Sequence, residues 1–132
     1  MRRSVNLLCL LTLLAGAGLT ACASSDNRAT AAGAIAAYHE ALVAKEIDEL
    51  INYSCADWEA QARLELESFG AVQAELDDLQ CEDAGQDGEA TLVSCAGRIT
   101  AAYGNEILEI DLADRQYLAV YEGNEWRMCG YR

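Results

Sequence analysis

What this chain of 132 residues has little of narrows its role more than what it has. Lysine and arginine number 9 against 22 aspartates and glutamates, a formal charge of −13 at pH 7. Nucleic-acid sites need clustered basic side chains to neutralise phosphates, and no such cluster occurs, so a nucleic-acid partner is not expected. His39 is the single histidine, so any imidazole chemistry must pass through it. No Ser/His/Asp or Cys/His arrangement stands out. Closely spaced cysteine pairs are also missing: the gaps between Cys55, Cys81, Cys95 and Cys129 are 26, 14 and 34 positions. Zinc sites built on four cysteines present their ligands as C-x₂-C pairs, so no metal is expected. Polar low-complexity tracts are absent and 52% of residues are hydrophobic, which argues against disorder. A chain of this length is one domain.

Only one long apolar run exists, Leu7 to Leu19, and its 13 residues fall short of the roughly 20 needed to span a bilayer. Arg2 and Arg3 precede it and small residues follow, the layout of a secretory signal over residues 1–21. It ends Leu19-Thr20-Ala21-Cys22, which resembles the lipobox of bacterial lipoproteins. The resemblance implies that Cys22 becomes the mature N-terminus and carries lipid, including palmitate, on its thiol. Ordinary cleavage after Ala21-Cys22-Ala23 is the competing reading. Multiple acyl chains give stable anchoring where one chain does not. The expected localisation is export, with the body tethered at the cell membrane or outer membrane. Ala23 after the cysteine is not the Asp that often signals inner-membrane retention. Residues 22–30 then read as lipidated cysteine and polar tether, and residues 31–132 as the domain. Loss of Arg2 and Arg3 leaves 7 basic against 22 acidic residues, so the mature charge is 7 − 22 = −15.

The domain begins helical. Thr30 is a suitable N-cap, and Ile35, Tyr38 and Leu42 form one stripe from Ala31 to Ala44. The phase slips after Lys45, so a second short helix is expected from Glu49 to Tyr53 with Asp48 as its cap. Ser54-Cys55-Ala56-Asp57 reads as a capping box for a third helix, on which Cys55, Trp58, Ala62, Leu66 and Phe69 share a face ending at Gly70.

From Ala74 the period becomes two. Gly-Asn-Glu occurs at residues 104–106 and again at 123–125, and glycine at the first central position suits a type II′ turn. Counting outward from the first turn pairs Tyr103 with Glu106, Ala101 with Leu108, Ile99 with Ile110 and Gly97 with Leu112. The opposite face sets Thr100 against Glu109 and Arg98 against Asp111. The second turn pairs Tyr121 with Trp126, Ala119 with Met128 and Leu118 with Cys129. A looser turn at residues 84–88 brings Cys81 back against the segment ending at Cys95. The expected fold class is α+β, with N-terminal helices packed on a curved four-stranded antiparallel meander whose third strand bends near residues 113–115.

The segment Ala37-Tyr38-His39-Glu40-Ala41-Leu42-Val43-Ala44-Lys45-Glu46-Ile47-Asp48-Glu49-Leu50 resembles the first helix and turn of the nuclear transport factor 2-like superfamily. The closing Glu122-Gly123-Asn124-Glu125-Trp126-Arg127-Met128 is similar to its last hairpin. The resemblance covers residues 31–132 and implies a cone whose helices close over the sheet around a cavity. That superfamily holds isomerases, dehydratases, ligand binders and interaction domains, so the fold does not decide the function.

Cys9 leaves with the signal and Cys22 is occupied, so four cysteines remain for two disulfides in an oxidising compartment. The expected pairs are Cys81–Cys95 across two strands and Cys55–Cys129 from helix to last strand. The second depends on the bend. Strict alternation through Asp114 puts Cys129 on the core face. A bulge there turns Tyr117, Ala119, Tyr121, Trp126 and Met128 inward and Cys129 outward.

The acidic residues Asp77, Asp78, Glu82, Asp83, Asp87 and Glu89 read as a solvated face. As a calcium loop, the segment from Asp83 lacks an oxygen ligand at its third position and the glutamate at its twelfth. His39 lies near the inward stripe and is the weak candidate for a general base. The expected function is a membrane-anchored binding or interaction module without a cofactor, its partner a small apolar ligand or an envelope protein. The alternatives are a cavity enzyme of isomerase or dehydratase type using His39, and a structural homodimer using the outer sheet face.

Overall fold

The computed structural model of the protein describes residues 27–132. The signal at residues 1–21, the lipobox cysteine Cys22 and the start of the tether lie outside the described residues.

Helix α1 runs Ala31–Ala44, and the Thr30 hydroxyl accepts the Gly33 N–H at 3.0 Å. Ile35, Tyr38, His39 and Leu42 are all buried on its inner side. It closes on Lys45, which adopts φ 60°. The Lys45 N–H donates to the Leu42 carbonyl at 3.2 Å and the Glu46 N–H to the Ala41 carbonyl at 3.0 Å, the Schellman pattern. That reversal is the phase slip visible in the sequence. Because Lys45 turns the chain by itself, α2 starts directly after it as Ile47–Asn52, and Asp48 lies in its first turn instead of capping it.

Helix α3 spans Glu59–Phe69, later than the expected capping box, and Trp58 at its start makes no side-chain cap bond. Ser54 and Asp57 are therefore not caps. The Ser54 hydroxyl donates back to the Leu50 carbonyl at 2.8 Å. The Cys55 N–H donates to the Met128 carbonyl at 2.8 Å, and the Met128 N–H to the Tyr53 carbonyl at 2.7 Å. Residues 53–55 thus serve as a short parallel bridge beside the last strand before α3 begins.

Five strands follow: β1 Gln73–Asp87, β2 Ala90–Tyr103, β3 Glu106–Asp111, β4 Gln116–Glu122 and β5 Glu125–Tyr131. The sheet order is β1-β2-β4-β5, with β3 also pairing β2. The expected loose turn at residues 84–88 is instead strand as far as Asp87, which pairs with Ala90 across a tight turn at residues 88–89, and Ala84 is taken up by a register shift between Asp83 and Gly85. A second irregularity sets Asp78 and Leu79 against Gly97. Gly97 has φ 108°, and a Cβ there would lie 2.6 Å from the Asp77 carbonyl oxygen, so the bulge needs glycine.

The β2–β3 register matches the count from Gly104, Tyr103↔Glu106 through Arg98↔Asp111. It stops there. Leu112 does not pair with Gly97, because Leu112–Asp114 form a 3₁₀ turn that the Asp111 carboxylate caps, accepting the Ala113 N–H at 2.9 Å. Arg98 pairs diagonally with Glu109 at 3.4 Å, an exposed pair worth at most about 1 kcal/mol. This 3₁₀ turn cuts the expected long third strand into β3 and β4, which makes five strands and not four.

In β4–β5, Tyr121↔Trp126 and Ala119↔Met128 pair as counted, but Leu118 pairs with Gly130 and leaves Cys129 as the extra residue of a bulge. Both central residues of this turn have positive φ, 61° at Gly123 and 65° at Asn124, which is the sign pattern of type I′ and not type II′. Tyr117, Ala119 and Met128 are fully buried beneath α1, while Tyr121 at the hairpin tip is exposed. Most of the aromatic row is therefore core.

Candidate functional site

The inner faces of α1, α3 and the sheet leave a half-enclosed cavity of about 160 Å³. His39 and Leu42 reach it from α1, and Glu65 and Phe69 from α3. Ile99, Ile110, Leu112, Arg115, Tyr117 and Tyr131 come from the sheet and the 3₁₀ turn. A volume near 150 Å³ accommodates a molecule the size of benzene, so this space suits a fragment of about six non-hydrogen atoms.

His39 is 3% exposed. Its Nδ1–H donates to the Ile35 carbonyl at 2.8 Å, which leaves Nε2 as the lone-pair nitrogen of the neutral ring. The ring stands edge-on to Tyr117 at 4.6 Å and to Tyr38 at 5.8 Å between centroids. Burial lowers its pKa to about 4; the bond to Ile35 pulls the other way, and the Arg115 charge adds a smaller push down. At neutral pH the ring is uncharged, and Nε2 has no protein partner.

Glu65 anchors the other side. Oε2 accepts the Tyr38 hydroxyl at 2.6 Å and Oε1 the Tyr131 hydroxyl at 2.8 Å. Trp58 Nε1–H in turn donates to the Tyr38 oxygen at 3.2 Å. Burial, followed by the neighbouring Glu65 carboxylate, raises both phenols well above their ordinary value. Tyr117 donates to the Leu112 carbonyl at 3.0 Å, and burial pushes its phenol up to about 12 against the opposing Arg115 charge. The Arg115 guanidinium stacks over the Tyr131 ring, 4.8 Å from its centroid.

The sequence reading brought His39 to this cavity but missed Glu65. The signal was present: Glu65 lies three residues after Ala62 and four before Phe69, a carboxylate on the apolar side of α3. Of the remaining candidates, Cys81 faces Cys95 across β1 and β2 with Cα atoms 4.1 Å apart, and the two are disulfide-bonded. Cys55 is bonded to Cys129 with Cα atoms 5.3 Å apart. The inward aromatic row and the Cys55–Cys129 bond, which strict alternation makes incompatible, coexist. Cys55 comes in alongside β5 on the bridge at Ser54–Met128, and Cys129 stands in a bulge outside the alternation. Among the described residues, no three His, Cys, Asp or Glu side chains converge to hold a metal.

No family model matches the chain, and no curated protein matches it. A solved structure of an uncharacterized cystatin fold protein from Novosphingobium aromaticivorans aligns with TM-score 0.46 and 18% identity, over 78% of this chain and 97% of that one.

Proposed function

We propose that the protein is an exported lipoprotein, anchored in the bacterial cell envelope through Cys22, whose nuclear transport factor 2-like cone binds a small ligand with an apolar body. The cavity carries this reading: it is walled mainly by aliphatic and aromatic side chains, and the unpartnered His39 Nε2 supplies a convergent polar atom, the composition of a small-molecule site. Two disulfides fit an oxidising compartment. Among the described residues no helix is long and apolar enough to cross a membrane, so anchoring rests on the lipobox.

Binding is favoured over catalysis. A general base works best with a pKa near the operating pH, and burial holds His39 at about 4. Two measurements on the full-length protein test the reading. Labelled palmitate is incorporated into the wild type and not into Cys22→Ala; equal labelling overturns the anchor. A fragment screen followed by NMR moves the His39 imidazole resonances. Fragments that shift only surface residues overturn the ligand site.

A further inference from the structure

We infer that the cavity takes a hydrogen-bond-donating cation on a linear apolar body, a primary alkylammonium, with its head at Glu65 and His39 and its tail running out over Leu108. The inference rests on the ligand-binding reading above and specifies its chemistry.

The donor–acceptor balance selects the head. Every uncharged side-chain donor around the cavity is already spent inside the protein. Tyr38 and Tyr131 donate to Glu65, Tyr117 donates to the Leu112 carbonyl, and His39 Nδ1 donates to the Ile35 carbonyl. What remains is acceptor capacity: the further lone pairs of the Glu65 carboxylate and the His39 Nε2. A ligand carboxylate or carbonyl finds no uncharged donor there. An ammonium group brings three donors and the complementary charge. Only Glu65 and Arg115 carry charge at the lining, since His39 is neutral. Arg115 is exposed at the mouth, with its cation stacked on the Tyr131 ring. It disfavours a second cation, so its removal has a defined sign.

The sheet register selects the tail. Ile99 and Ile110 face each other across β2 and β3 and floor the cavity. The next pair outward on the same face is Ala101 and Leu108, followed by Tyr103. Leu108 is 61% and Tyr103 64% exposed, so the apolar floor continues into solvent beyond the helices. A body longer than the cavity therefore gains further apolar contact by following this strip.

The test uses the full-length protein at pH 7, titrated with butyl-, hexyl- and octylammonium and with hexanoate, and followed by calorimetry and by the His39 NMR signals. Affinity is expected to rise about fourfold per methylene inside the cavity and about twofold per methylene along the open strip. Hexylammonium binds at least tenfold tighter than hexanoate. Glu65→Gln weakens hexylammonium about tenfold, whereas the exposed change Arg115→Gln strengthens it. Leu108→Asn removes the gain of octyl over hexyl and leaves butylammonium unchanged. Hexanoate binding as tightly as hexylammonium, or an octyl gain that survives in Leu108→Asn, overturns the inference while shifts at His39 preserve the ligand site. Absence of any His39 shift with every probe overturns both.

Discussion

Tyr38 donates its hydroxyl to Glu65 at 2.6 Å, joining residues 27 positions apart and tying α1 to α3 above the sheet. Tyr131 completes the arrangement from β5, so one carboxylate links two helices and the last strand. Removing the carboxylate leaves two largely buried phenols without an acceptor. Glu65→Ala is expected to lower stability by about 2–4 kcal/mol, and Tyr38→Phe, which removes the charge-assisted bond to Glu65 and also the acceptor of the Trp58 Nε1–H, by about 2–3 kcal/mol. Urea unfolding of both variants and the double variant measures this. The two losses should be strongly non-additive.

His39 makes stability depend on pH. Its folded-state pKa is lowered to about 4 from 6.5, so the unfolded chain binds more protons between those values. The contribution is complete above about pH 6.5 and lost as pH falls toward 4. Wild type should lose about 2 kcal/mol more than His39→Gln between pH 7 and pH 5. Chemical denaturation at the two pH values, with NMR titration of the imidazole, checks the sign and the window.

At the alkaline end the sign reverses. Tyr38, Tyr117 and Tyr131 have raised folded-state values, so the folded protein holds protons that the unfolded chain releases. Their contribution is present below about pH 10 and declines as pH rises beyond it. Phenolate absorbance near 295 nm should show these three ionising only with unfolding. Ordinary titration of all six tyrosines in the folded protein would contradict the buried network.

The two disulfides differ in span, with sequence separations of 74 for Cys55–Cys129 and 14 for Cys81–Cys95. On the chain-entropy account, replacing the longer pair by serines costs about 4.5 kcal/mol and the shorter about 3 kcal/mol. Denaturant midpoints of the two double variants give the order. Non-reducing peptide mapping of the wild type gives the connectivity directly.

Two glycines of the sheet should respond very differently to alanine. At Gly97 the new Cβ meets the carbonyl oxygens of Asp77 and Asp78 at 2.6 and 2.8 Å with φ 108°, whereas Gly104 faces open space with φ 59°. Gly97→Ala is expected to cost about 3–5 kcal/mol and Gly104→Ala about 1–2 kcal/mol. Thermal unfolding of the pair distinguishes steric crowding from backbone preference alone.

Much of the architecture was legible in the sequence because it follows from local periodicity. The Ile35-Tyr38-Leu42 stripe and the Thr30 cap delimit α1, and the Gly104-Asn105 turn sets the β2–β3 register down to Arg98↔Asp111. Helix starts were less legible where a residue had competing uses. Ser54 and Asp57 look like caps, but the backbone of residues 53–55 is drawn to β5 instead. Asp111 is the cross-strand neighbour of Arg98 as counted, but its carboxylate caps a 3₁₀ turn and the Arg98 guanidinium goes to Glu109 instead.

By itself the sequence determined the helix–sheet order, the β2–β3 hairpin register, the acidity of the body and the presence of one histidine on the inward side of α1. Each of these depends on neighbours within a few positions or on composition. Only the tertiary structure decided how β3 and β4 separate, how Cys129 meets Cys55 from within a bulge, and that Glu65 faces His39 across a cavity. Those outcomes depend on which of several satisfiable hydrogen bonds the packed chain selects. A carboxylate on α3 acquires its role only when tyrosines from α1 and β5 close around it.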